Sequence, residues 1–202
     1  MISIHEDDWE MRSLHPLRAR DEVIEDLDEA IAAGERNRVA DGVWSAIHLI
    51  KSPSFTYADA GLLLSDAAAA LGPLMPRVTT FHAGPSWPVD GKLLDPFSSH
   101  EEDAWCYGFD EDCFIKLETK EALVERIWFE HRTRDPERAA ALRRSIEAIE
   151  SLVPSLLVDH WFHLEGACGD PSFLDDYFAS QEAHMAAVDE KWGKLEGEHD
   201  GP

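Results

Sequence analysis

Three short runs, 104–109, 113–119 and 123–131, alternate apolar and polar residues with the period of a β-strand. Asp110-Glu111-Asp112 and Lys120-Glu121-Ala122 separate them. Connectors this short reverse the chain but cannot carry a crossover, so the runs must pair as consecutive antiparallel strands. This meander over 103–131 requires a sheet with antiparallel neighbours, and at least one face of that sheet needs cover.

The remaining pattern supplies the cover. Val23, Ile24, Leu27, Ala30 and Ile31 recur at helical spacing and predict a helix over 20–33. Glu22, Glu25, Asp26 and Glu29 point outward on it, and Gly34 is its stop. Residues 45–50 read as a short strand ended by Ser52-Pro53. Ser65 is the expected N-cap of a helix through Ala67–Leu71, stopped by Pro73 or Pro76. Residues 77–82 read as one strand, and 84–101, rich in Gly, Pro and Ser, as a long loop. Asp135-Pro136 opens a helix over 136–152 with Ala139, Leu142, Ile146, Ile149 and Val153 as its stripe. Residues 156–164 read as a further strand. Asp170-Pro171 opens a last helix over 172–190, with Leu174, Tyr177, Phe178, Met185 and Val188 inside. Hairpin-connected strands between helices predict one α+β domain over 1–192, built on a mainly antiparallel sheet with flanking helices. Residues 193–202 read as an acidic flexible tail.

Charge narrows the function. Asp and Glu number 41 against 18 Lys and Arg, a formal net charge of −23. That repels phosphate backbones and anionic membranes, so no nucleic-acid or membrane partner is expected. It favours a protein partner with a basic surface. No apolar run approaches the roughly 18–20 residues that span a bilayer. Met1-Ile2-Ser3-Ile4-His5 lacks the features of a signal peptide. Cys106, Cys113 and Cys168 have neither disulfide-framework nor zinc spacing and read as buried thiols in a reducing bacterial cytoplasm.

The chemical motifs are sparse. His5-Glu6-Asp7-Asp8 and His100-Glu101-Glu102-Asp103 are rich in metal donors. Adjacent donors diverge, however, so a site would need His48 or His82 from elsewhere, and neither cluster fits an EF-hand or HExxH. The expectation is no bound metal, and a melting temperature indifferent to chelation. Gly84-Pro85-Ser86-Trp87-Pro88 carries only half of a nucleophile elbow, and no phosphate-binding glycine loop occurs. No cofactor and no catalytic residue is assigned. On an extended strand, Asp159, Trp161 and His163 would share one face. His160 would share the other with Leu156, Val158 and Phe162, as a hydrogen-bonded core histidine.

Trp105, Tyr107 and Phe109 share one strand face beside the acidic tip Asp110, Glu111 and Asp112. An even loop length brings Phe114, Lys116 and Glu118 onto that face. A three-residue loop without a bulge brings Cys113, Ile115 and Leu117 instead, and the face becomes core. Aromatics beside charge have the composition of an interface, so Trp105, Tyr107, Phe109, Asp110, Glu111, Asp112 and Glu118 are the candidate partner-binding residues. In architecture and charge the chain is similar to immunity proteins, which bind and neutralise a toxin. That likeness implies an inhibitor of a cationic toxin domain. The alternative is a small enzyme with a His/carboxylate site, with or without a metal, near residues 82–103.

Overall fold

The computed structural model describes residues 1–40, 43–44, 48–84, 92 and 98–199. In chain order these form β1 (Ile2–Ile4), β2 (Arg12–Pro16), α1 (Arg20–Asn37), β3 (Arg38–Ala40), β4 (Val43–Trp44), α2 (Leu64–Leu71), β5 (Arg77–Val78), β6 (Phe81–Ala83), β7 (Ser99–Glu101), β8 (Trp105–Asp110), β9 (Cys113–Lys120), β10 (Leu123–His131), α3 (Pro136–Leu152), β11 (Ser155–Asp159), β12 (Leu164–Ala167) and α4 (Pro171–His199). Seven strands make the main sheet in the order β12-β11-β2-β10-β9-β8-β5, every neighbouring pair antiparallel. The α+β class and the β8–β10 meander are as expected. A small sheet, β1-β6-β7, contains one parallel pair, β1 with β6. Strands β3 and β4 pair separately.

Strand alternation divides the core. Leu14, Tyr107, Ile115, Leu117, Ile127, Phe129 and Leu157 meet α2, α3 and α4 on one face. On the other face, Cys106, Phe114 and Trp128 pack under the small sheet through Ile2, Ile4 and Phe81. Leu156 and Val158 pack under α1 through Val23 and Leu27. The Phe81, Phe114 and Trp128 rings meet edge to face at 5.4–5.6 Å, a geometry that adds to their burial. Among the described residues, no helix is long and apolar enough to cross a membrane.

Tertiary contacts overrule several local signals. Helix α1 runs past Gly34 to Asn37, because one glycine weakens a helix by only about 1 kcal/mol. Asp26 faces inward on it, not outward. Helix α2 starts at Leu64, with Leu63 rather than Ser65 at the cap position and no side-chain cap. Backbone bonds to β10 hold that end instead: Leu64 N donates to Ala122 O at 2.9 Å, and Val124 N to Leu62 O at 3.0 Å. The single strand expected over 77–82 divides between the two sheets, since β5 pairs with β8 while β6 joins β1 and β7. Strand β7 occupies the end of the expected 84–101 loop. Residues 85–91 and 93–97 of that loop, and 45–47 of the expected 45–50 strand, lie outside the described residues; 48–50 form no strand.

The strand expected over 156–164 is a hairpin. Asp159 Oδ1 accepts from Trp161 N and Phe162 N, and His163 takes φ +53°, so the chain turns where alternation was assumed to continue. Asp135 caps α3 and Asp170 caps α4, as the Asp-Pro pairs imply. Helix α4 continues to His199, through most of the segment expected as a tail.

Candidate protein-binding surface

The β8–β9 turn contains two residues, Glu111 and Asp112, and the register shifts between Gly108 and Asp110. This two-residue turn with a bulge matches neither loop geometry considered from the sequence. Trp105 faces Leu117 and Tyr107 faces Ile115, the core pairing, while the bulge turns Phe109 out to 39% exposure. Gly108 makes the bulge possible. A Cβ there would lie 2.4 Å from Phe114 Cβ and 2.7 Å from Cys113 O.

The seven candidate residues therefore separate. Tyr107 is 3% exposed within the main core, so it holds the sheet and offers no surface. Trp105 is half-buried, with the Arg77 guanidinium 3.6 Å from its ring centroid. Phe109 sits beneath Arg138 at 5.3 Å. Glu118 lies on the opposite face of β9. It accepts from Lys116 Nζ and from Trp128 Nε1, each at 3.1 Å. Phe109, Asp110, Glu111 and Asp112 remain together at the tip.

The tip carries less field than its sequence implies. Asp110 pairs with Arg138, and Asp112 with Arg132 at 3.3 Å. Among the described residues only Glu111 of the three lacks a cation partner. The outward face of α1 differs. Glu22 is held by Ser54 and Glu29 by Lys51, but Asp21, Glu25 and Asp28 are exposed with no ion-pair partner among the described residues. They lie one helical turn apart along one side of α1. Of that stripe, only Glu25 was among the outward acids expected from the sequence.

Beyond the tip, a groove of about 540 Å³ runs between the end of β10 and helices α3 and α4. His131, Asp135, Arg143, Phe178, Gln181 and Met185 line it. Asp135 and Met185 also border a depression reaching Asp110 and Asp112, so groove and tip are continuous. His131 is 3% exposed, its ring lies 4.6 Å from that of Phe178, and its Nδ1 is buried with no partner among the described residues. Burial, reinforced by the Arg12 charge, pushes it down to about 4, so the groove presents a neutral imidazole.

Beneath the groove lies a charge network that sequence reasoning missed. Arg12, 4% exposed, donates through Nε to Asp159 Oδ2 at 2.9 Å and through Nη1 to Glu130. Asp159, fully buried, also accepts from Tyr177 OH and Gln181 Nε2 of α4, each at 3.0 Å. The network fastens α4 to the sheet and fixes the groove's inner wall.

His82 and His100 face each other across the β6–β7 pair, ring centroids 5.9 Å apart. Cys106, Cys113 and Cys168 are buried free thiols. His160 is buried, as expected, but among the described residues its ring takes no hydrogen bond. No family model, no curated protein and no solved structure matches the chain.

Proposed function

We propose that the chain is an acidic protein-binding module, an immunity-type inhibitor that neutralises a cationic toxin domain. The observation that carries this reading is uncompensated charge on a rigid element. Asp21, Glu25 and Asp28 project from a packed helix with no ion-pair partner among the described residues, in a chain of net charge −23. Such a field steers a basic protein into encounter and raises its association rate about 10- to 1,000-fold. The tip and groove supply what steering does not. Phe109 is an exposed aromatic at the tip, Trp105 is half-buried at the other end of the same strand, and the groove adjoining the tip has an apolar wall in Phe178 and Met185.

This division of labour moves the expected steering residues from the tip to α1. Neutralising Asp110 and Asp112 mainly releases Arg132 and Arg138 and alters the tip's structure. The test is capture from the native host with the tagged wild-type chain, identification of the retained protein, and assay of that protein's own activity. A basic enzyme inhibited on binding supports the reading. An acidic or inactive partner, or turnover of a small substrate by the chain itself, sinks it.

A further inference from the structure

The inward face of α1 meets an unusual concentration of imidazole and carboxylate. Asp26 is 6% exposed and accepts from His48 Nε2 at 2.9 Å and from Lys51 N at 3.1 Å. Glu29 follows Asp26 by one turn. One donor atom from each of Asp26, Glu29 and His48 lies within 4.8 Å of the others, the one such group of three among the described residues.

A second, independent feature points at the same place. His160 N donates to Met11 O at 2.9 Å, extending the β11–β2 ladder by one residue. Its side chain therefore follows Leu156 and Val158 onto the face that α1 covers. It is 8% exposed, and its ring has no hydrogen-bond partner among the described residues. The charged groups it feels are Asp26, Asp159, His48 and His163. Its ring nitrogens keep contact with water, so a lone pair there is open to an ion held near Asp26 and His48.

The set already attracts positive charge. Lys51 Nζ reaches Glu29 and lies 3.9 Å from Asp26 Oδ1, yet its side chain is 62% exposed. An exposed ammonium on a flexible stem is readily displaced.

We propose that Asp26, Glu29 and His48 form a site for a zinc-class divalent transition metal, with His160 or water completing the shell. Mixed imidazole and carboxylate donors suit such ions better than magnesium or calcium, which prefer oxygen alone. Donors bound to one tetrahedral zinc at about 2.0–2.1 Å lie about 3.3 Å apart, so the Asp26–His48 contact needs to open by only about 0.4 Å. His48 then carries its proton on Nδ1 and presents the Nε2 lone pair; no proton leaves the neutral ring. The Lys51 N bond to Asp26 Oδ2 survives, and the metal clamps the 48–51 segment to α1.

The test is calorimetric titration of chelator-stripped protein with zinc chloride and, separately, magnesium chloride, paired with thermal melts. The expected result is one zinc per chain, a raised melting temperature, and no magnesium uptake. His48→Gln should weaken zinc binding by more than the about 10- to 100-fold that losing an outer-shell partner costs. Lys51→Met should tighten it about thirtyfold, the effect of removing one unit charge about 4 Å from a divalent ion under water-like screening. Visible absorption of the cobalt form of the wild-type chain tests the site even where a variant folds poorly, and an intense tetrahedral spectrum is expected. A weak octahedral spectrum, no zinc heat with either wild type or Lys51→Met, or unchanged zinc binding by folded His48→Gln overturns the proposal. The last result would mean adventitious binding to surface acids.

Discussion

Asp159→Asn keeps the Oδ1 bonds to Trp161 N and Phe162 N but removes the charge opposite Arg12. It also places an amide where Oδ2 now meets three donors, from Arg12, Tyr177 and Gln181. Arg12 keeps Glu130, so the loss belongs at the lower end of the range for breaking a buried ion pair, about 3 kcal/mol. Arg12→Met takes the guanidinium from both Asp159 and Glu130, which are 0% and 2% exposed, leaves only Arg132 at 3.8 Å from Glu130 as counter-charge, and belongs at the upper end, about 5 kcal/mol. At about 2–4 °C per kcal/mol for a chain of this size, the melting temperature should fall about 6–12 °C for Asp159→Asn. Arg12→Met should lower it further. Urea unfolding followed by tryptophan fluorescence gives both free energies. A loss below about 1 kcal/mol for either variant, within the range of a surface pair, would refute the buried network. So would the reverse order.

Lys116 is the contrasting case. It is 1% exposed, but its partners Glu101 and Glu118 keep contact with water, so Lys116→Met should change stability by less than about 1 kcal/mol in the same assay. Acid should weaken the fold as the buried His131 is forced to charge. His131 titrates near 4 when folded and near 6.5 when unfolded, so the unfolded chain binds more protons between those values. The folded state should therefore lose about 3 kcal/mol as pH falls through that window, and His15, also held near 4 by burial and the His160 charge, acts in the same direction. Melts from pH 7 to pH 4, with His131→Gln flattening the slope, check this. Burial pushes the Cys106 and Cys113 thiols up to about 12 and raises Cys168 as well, so a disulfide reagent should label no thiol in the native chain and all three after denaturation.

The legible parts of the fold were those with local causes. The meander follows from alternation and short turns, and both late helices follow from Asp-Pro caps whose carboxylates bond the first-turn amides. The central strand β2 was not legible. Arg12-Ser13-Leu14-His15-Pro16 offers one aliphatic residue, because its polar side chains are buried by partners more than a hundred residues away. The 156–164 run misled for a similar reason, since Asp159 turns the chain and anchors α4 at once. The tip residues were found as a group, but their charge was misjudged. Arg132 and Arg138 follow in sequence after β10, and nothing in their spacing shows that they return to Asp112 and Asp110. Asp26 was read as solvated because helical periodicity cannot tell a buried carboxylate with an imidazole partner from one facing water.

The binding reading is tested most directly by the association rate with the captured partner, measured by stopped flow against ionic strength. The comparison is wild type with the Asp21→Asn, Glu25→Gln, Asp28→Asn triple variant. Between 0.01 M and 0.15 M salt the Debye length shrinks from about 30 Å to about 8 Å. Wild-type association should slow about tenfold or more over that interval, while the variant starts slower and responds less. A wild-type rate indifferent to salt, or a variant that associates as fast as wild type at 0.01 M, would contradict the account.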